Sequence, residues 1–393
     1  MQNAPKILII SSDTGGGHRS AATAIVEGAN RFWNSDLKAV RVLKGIEDSH
    51  KLTMRLVNIY NWMLRNRQHW MKYLYWTVNT IRPEKRSFIH KRCLAYFIEA
   101  FEKWCPHIVV SVHPLTQHII ANALKQVGLD KTVPIVTVVT DPCYGFWKGW
   151  ACDDVTLYLV ANDDARQQLI DYGVPSHKIK ISGMPVHPKF HAANEKDAQA
   201  ARKAFGLNPD KFTVFLNSGF VGGGNISNIF RELVRGELDV QAIFLAGKNE
   251  DLRREAEEIA KTASFPVKVI GYSDEIEKLM QSANVMISKL GGLTTFEALA
   301  CRLPIIGDAT TPPMPQEVGT VELIKRRGAG IMLNKSSDIV PMIQNLISDK
   351  IKYELMCEAT MGLAMPNATQ FIIKEIAALL PSSVSAEKEI VIA

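Results

Sequence analysis

The sequence predicts an α/β chain of two doubly wound halves, each a parallel sheet with helices on both faces. Three observations carry this. Short apolar runs alternate with helical stretches along the whole length, and strands separated by helices imply parallel sheets. The pattern occurs twice, on either side of a polar stretch near residue 190. Glycine turns at 15–17, 222–224 and 291–292 join a strand to a helix. In the first half the strands are expected at residues 6–11, 39–43, 107–112, 134–140, 156–160 and 179–182. In the second half they are expected at 213–217, 241–246, 267–270, 285–288, 304–307 and 330–332. The boundary falls within 183–210, where GMPVHPKF carries two prolines and a glycine before a polar, helical stretch. A last helical run over 367–380, after Pro366, can belong to either half.

The 393 residues suffice for two cores. With 47% hydrophobic and 22% charged residues the composition is that of a globular protein, and no stretch approaches a membrane span. The start, MQNAPKILII, lacks the features of a signal peptide, which points to the cytoplasm. Cys93, Cys105, Cys143, Cys152, Cys301 and Cys357 form no C-x-x-C pair, so neither a disulfide framework nor a structural zinc site is expected. The net charge of +6 suits an anionic partner without naming one.

Residues 49–104 are helical and rich in both basic and aromatic side chains, and six of the seven tryptophans lie between Trp62 and Trp150. Rings at the headgroup level with cations facing anionic lipid would suit a membrane surface. The alternative is an inserted helical pair whose aromatics pack on the sheet. No nucleic-acid motif accompanies the charge, so a nucleic-acid partner is not expected.

Ligands of doubly wound sheets bind beyond the carboxyl ends of the strands. There the first half places Ser12, Asp13 and the turn Gly15-Gly16-Gly17-His18, then His113 in SVHPL and Asp141 in VVTDP. Glycines allow close backbone approach, and a helix N-terminus attracts anions and disfavours imidazolium. His18 is therefore the candidate general base, with Asp141 or Asp13 to orient it. His113 can equally be a strand-end residue satisfied by backbone, and Asp141 a turn former before Pro142.

In the second half, Gly222-Gly223-Gly224 precede a helix expected from about Ile226, a diphosphate-binding pattern that lacks the Walker lysine. The strand 285–288 ends in Gly291-Gly292. Thr294-Thr295-Phe296-Glu297 reads formally as a capping box, or Glu297 as a first-turn carboxylate that accepts the ribose hydroxyls of a nucleotide. The proline-rich loop 308–320 carries Gln316 and Glu317, which could read sugar hydroxyls or simply line a surface turn.

SDTGGGHRSAATAI, SVHPL, VVTD, ISGMPVHPKF, KLGGLTTFEAL with LPII, and PQEVG together resemble one group of glycosyltransferases. It contains monogalactosyldiacylglycerol synthase and the processive diacylglycerol glucosyltransferases, with a more distant likeness to the lipid II N-acetylglucosaminyltransferase. The resemblance covers most of the chain. It implies a GT-B fold of two Rossmann-like domains facing across a cleft. Residues 1–187 would be the acceptor and membrane-facing domain, and 188–393 the UDP-sugar domain. It further implies an inverting transfer of a hexose from a UDP-sugar to a lipid such as diacylglycerol, on an anionic membrane surface, with no metal and no cofactor beyond the donor. By this likeness His18 is the catalytic histidine; His113 and Asp141 join it as the strand-end candidates named above. Glu297 is the ribose carboxylate, and Gln316 and Glu317 hold the donor sugar. Gly222, Gly223, Gly291 and Gly292 surround the diphosphate, Gly271-Tyr272 form a wall near uracil, and Gly16, Gly17, Leu293 and Thr294 complete the donor set. Trp62, Trp70, Tyr73, Trp76, Phe146 and Trp147 fall to the acceptor and membrane side.

Three positions depart from the group's pattern: Phe146-Trp147 where a His-Pro pair is usual, His187 in the hinge, and Thr320 after the Q-E-V-G run. A polyprenyl or soluble acceptor, and a sugar-nucleotide-binding regulator without turnover, stand as alternatives.

Overall fold

A computed structural model describes residues 5–33, 39–67, 70–85, 87–220 and 222–380. The chain divides into two compact units. Unit 1 takes Met1–Trp62, Trp70–Pro188 and Asn367–Ala393, and unit 2 takes Met63–His69 and Lys189–Pro366.

Unit 1 is built on a six-stranded parallel sheet: β1 (Lys6–Ser11), β2 (Ala39–Lys44), β3 (Ile108–Ser111), β4 (Ile135–Val138), β5 (Leu157–Val160) and β6 (Ile179–Ile181). The spatial order is β2-β1-β3-β4-β5-β6. The apolar run of β1 has no polar face because helices cover both sides of the sheet, and Ile7 to Ile10 are all buried. The sheet's winding reverses between β1 and β3, and a ligand mouth opens at the carboxyl ends of the strands at such a point. Helix α1 (Gly17–Phe32) follows β1, capped by Gly16 in the left-handed region at φ 91°. The crossover from β2 to β3 holds α2 (Lys51–Asn66), α3 (Met71–Ile81) and α4 (Ser87–Trp104), three helices rather than a pair. Phe97 and Phe101 of α4 lie wholly within the core under β1 and β3, and burying one such ring contributes about 1.5–3 kcal/mol. Helices α5 (Gln117–Gln126) and α6 (Asp163–Asp171) complete the winding.

Unit 2 repeats the architecture with α7 (Glu195–Ala204), β7 (Thr213–Asn217), α8 (Ile226–Arg235), β8 (Gln241–Leu245), α9 (Glu250–Ala260), β9 (Val267–Ile270), α10 (Ile276–Ser282), β10 (Val285–Ser288), α11 (Gly292–Ala300), β11 (Ile305–Asp308), α12 (Pro315–Arg327) and β12 (Gly330–Leu333). The order is β12-β11-β10-β7-β8-β9, again all parallel. Here the reversal lies between β7 and β10, the two strands that run into the glycine turns. Helices α13 (Ile339–Ser348) and α14 (Lys350–Leu363) follow.

The last helix, α15 (Ala368–Ala378), returns to unit 1 and packs on α1. Gly28 makes this possible, since a Cβ there would stand 2.4 Å from Cγ2 of Thr369. Thr369 donates its hydroxyl to the carbonyl of Val186 at 2.5 Å, and Lys180 pairs with Glu375 at 2.6 Å.

Candidate active site

His18 is the second residue of α1, and its position follows from the Gly15-Gly16 turn, both of whose glycines have positive φ. Its Nδ1 lies 2.7 Å from the carbonyl oxygen of Val112, the residue after β3. A carbonyl only accepts, so Nδ1 carries the proton and Nε2 holds the lone pair. The Thr140 hydroxyl lies 3.0 Å from the same Nδ1. Burial lowers the His18 pKa to about 4, against a smaller upward pull from the Val112 carbonyl. The imidazole is thus neutral at physiological pH, with its basic nitrogen at Nε2.

His113 packs edge-on against His18, with ring centroids 4.5 Å apart. Its Nδ1 accepts from the Leu115 amide at 3.2 Å. Its Nε2 therefore bears the proton and donates to the Thr14 hydroxyl at 3.1 Å. Burial, then the neighbouring His18, hold its pKa well below the usual value. His113 is a neutral brace between the strand end and the glycine turn.

The two acids expected to orient His18 have other partners, and the Val112 carbonyl with Thr140 orients the ring instead. Asp13 pairs with Lys44 at 2.6 Å, because the β1–β2 register sets Ser11 opposite Lys44. Asp141 accepts from Nε1 of Trp150 at 2.7 Å. The Trp150 ring is fully buried 6.2 Å from the His18 ring, so Asp141 fixes the indole that flanks the base. Glu47 also bears on the loop: its Oε1 accepts from the Ser12 hydroxyl and the Asp13 amide, both at 2.7 Å. Neither Trp150 nor Glu47 was singled out by sequence reasoning. The spacing of Glu47 from Ser12 carries no signal, since a crossover separates them.

Phe146 and Trp147 are not surface residues. Both are buried, Phe146 stacked edge-on to Tyr172 at 5.8 Å. Phe146 belongs to the buried core cluster of unit 1 that also holds Trp150. In contrast Trp62, Trp70, Tyr73 and Trp76 are half exposed or more, Trp76 at 69%.

In unit 2 the turn after β7 places Gly222 at φ 66° and Gly224 at φ 92°. A Cβ on Gly222 would stand 2.3 Å from the Ala246 carbonyl oxygen, and Asn249 donates to the Gly222 carbonyl at 2.9 Å. The turn leads into the N-terminus of α8. Beside it Phe220 and Tyr272 meet edge-on at 6.1 Å, with the Lys248 ammonium 4.5 Å from one ring centroid and 5.2 Å from the other. Phe220 thus packs against Tyr272, a residue expected in the wall near uracil. Gly271, also expected in that wall, is approached by Cδ of Arg253, 3.3 Å from where its Cβ would stand.

The second glycine turn departs from expectation. Helix α11 begins at Gly292 with Gly291 as its cap, so Leu293 and Thr294 lie in its first turn and Glu297 one turn further in. Glu297 therefore does not close a capping box. It is buried, which raises its pKa to about 7, with Lys189 lowering and Glu277 raising it further. Lys189 and Glu277 themselves pair at 2.6 Å. Reciprocal capping falls instead to Glu317, whose Oε2 accepts from the Met314 amide at 3.0 Å at the start of α12. Gln316 and Glu317 are both buried, not on a surface turn, and Oε1 of Gln316 has no hydrogen-bond partner among the described residues. Lys289, which follows β10, lies between the two turns.

Two parallel sheets, each with a glycine turn at its winding reversal, define the GT-B class. Residues 18–186 match the family model of monogalactosyldiacylglycerol (MGDG) synthase, and residues 220–307 match the glycosyltransferase family 28 C-terminal domain. A probable chloroplastic monogalactosyldiacylglycerol synthase 3 of Oryza sativa subsp. japonica is 31% identical over 391 residues, 95% of this chain and 74% of that protein. A processive diacylglycerol beta-glucosyltransferase of Bacillus licheniformis is 26% identical over 380 residues, 96% of this chain and 95% of that protein. Among solved structures, UDP-GlcNAc 2-epimerase from Neisseria meningitidis, bound to UDP-GlcNAc, is similar with a TM-score of 0.60 at 15% identity, covering 95% of this chain and 100% of that one. The chain belongs to the monogalactosyldiacylglycerol synthase family of glycosyltransferases.

Proposed function

We propose that the chain transfers a hexose from a UDP-sugar to the hydroxyl of a diacylglycerol-type lipid, with inversion at the anomeric carbon. The observation that carries this is the free Nε2 lone pair of a neutral, buried His18 beside a glycine turn. In the step, the acceptor oxygen bonds to the anomeric carbon as its proton passes to Nε2. The bond from that carbon to the diphosphate oxygen breaks, and its electron pair leaves with UDP. A low pKa keeps the base unprotonated before the donor binds, and the negative charge of the donor raises its proton affinity as the proton arrives. The named activities of the relatives, diacylglycerol glucosyl transfer and monogalactosyldiacylglycerol synthesis, support the lipid acceptor.

Incubation of the purified chain with diacylglycerol in mixed micelles and, in turn, UDP-glucose, UDP-galactose and UDP-GlcNAc is expected to release UDP from one donor. Mass spectrometry of the lipid should show the added sugar. Binding of UDP with no glycosylated lipid from any of the three would overturn the proposal in favour of a non-catalytic binder.

The exposed rings of α2 and α3 support docking on a lipid surface. Ile59 and Trp62 on α2, and Tyr73 and Trp76 on α3, lie at the surface, and the Lys72 ammonium sits 4.9 Å from the Tyr73 ring centroid. No helix of the described residues is long and apolar enough to cross a membrane, so contact would be interfacial. Vesicles rich in phosphatidylglycerol should sediment the chain, and Tyr73→Ala with Trp76→Ala should leave most of it in the supernatant. Equal sedimentation of parent and double variant would remove these helices from the docking surface.

A further inference from the structure

Lys289 stands at the carboxyl end of β10, where unit 2 reverses its winding. A Cβ on Gly224 would lie 2.4 Å from Cε and 3.0 Å from Nζ of Lys289, so the glycine there admits the lysine against the turn. The same point is 3.7 Å from Oδ2 of Asp308. Asp308 gives its other oxygen to the Thr310 amide at 3.0 Å and hydroxyl at 2.5 Å, which leaves Oδ2 turned toward this space. Glu317 behaves alike: Oε2 takes the Met314 amide, and Oε1 lies 4.0 Å from where a Gly291 Cβ would stand. One ammonium and two carboxylate oxygens thus line the space between the turns that open α8 and α11. Both helices direct N-terminal amides and the positive end of their dipoles there. Two acids beside an anion site would repel a diphosphate unless a cation intervenes, and Lys289 is placed to be that cation.

We propose that Lys289 binds the donor diphosphate and takes up the charge that collects on it as the anomeric carbon–oxygen bond breaks. The proposal rests on the donor role given to unit 2 above. The electron pair of the broken bond goes to the β-phosphate oxygen and the acceptor proton goes to His18. Burial lowers the Lys289 pKa, Glu317 and Asp308 pull it up, and a bound diphosphate would favour the ammonium further. The carboxylate oxygens of Asp308 and Glu317 remain for hydroxyls of the sugar. Lysine acts here as a compact point charge that follows the phosphate. A purely structural reading makes Lys289 the counterion of Asp308 and Glu317, with no part in binding.

Uridine and UDP separate the two readings, because only UDP carries phosphate. Lys289→Met should weaken UDP binding about 10- to 100-fold while uridine binding changes less than about threefold. Its kcat should fall about 10²- to 10³-fold, as when an electrostatic stabiliser of a transition state is lost. Lys289→Arg should restore much of the UDP affinity, which shows that a charge is needed. Equal losses for uridine and UDP, or no loss for either, would overturn the proposal. A parent chain that failed to bind UDP more tightly than uridine would instead overturn the donor role of unit 2.

Discussion

His18→Asn should lower kcat about 10²- to 10⁴-fold, the usual contribution of a positioned general base, with UDP affinity nearly unchanged. Asparagine keeps a donor toward the Val112 carbonyl but has no basic nitrogen where Nε2 stood. His18→Ala should lose as much rate and also release the carbonyl contact. The parent's pH profile gives a second reading of the same group. Activity needs the neutral imidazole, and burial pushes its pKa from 6.5 down to about 4. The acid limb of kcat/KM due to this group should therefore lie well below the usual histidine range. Stability has a related sign. Between the folded value and 6.5 the unfolded chain binds a proton that the folded chain refuses. Stability therefore declines across that window on acidification, and the decline should be smaller in His18→Asn, where buried His113 still contributes with the same sign. Near-parental kcat in both variants would remove His18 from the reaction.

The strands were legible because burial on both faces leaves an uninterrupted apolar signature. KILIIS forms β1 over the residues expected, and TVFLN forms β7 likewise. The glycine turns were legible for a related reason: positive φ at Gly16, Gly222 and Gly224 demands a residue that sequence displays openly. What holds His18 was not legible. Its partner is the carbonyl of Val112, and a main-chain oxygen is common to every residue type. Carboxylates are visible in a sequence, so Asp13 and Asp141 attracted the role, yet register gives Asp13 to Lys44 and packing gives Asp141 to Trp150. The helix start at Gly292 was displaced for a comparable reason. Thr294-x-x-Glu297 has the letters of a capping box, but Gly291 already serves as the cap and the helix begins earlier. That shift bears on function, because a carboxylate relieved of capping is available to a ligand.

Donor binding should depend on pH through Glu297, and this sets the second large effect. The side chain is buried, and burial raises its pKa from 4.5 to about 7, so near neutrality a substantial fraction is protonated before the donor binds. Two ribose hydroxyls donating to a carboxylate require the ionised form, and such charge-assisted bonds are worth roughly 1.5–3 kcal/mol each. Binding must then expel the proton. UDP-glucose is the suitable probe, since its doubly esterified diphosphate has no proton to lose near neutral pH. Its affinity should be level above about pH 7.5 and weaken below neutrality, approaching about tenfold per pH unit. Glu297→Gln should bind about 10²-fold more weakly at pH 8 and show little pH dependence, because the amide neither ionises nor accepts both hydroxyls with a charge. The two curves should converge as the parent is acidified. An affinity for UDP-glucose that stays flat in the parent from about pH 5.5 to 8 would mean that Glu297 does not meet the donor as a carboxylate.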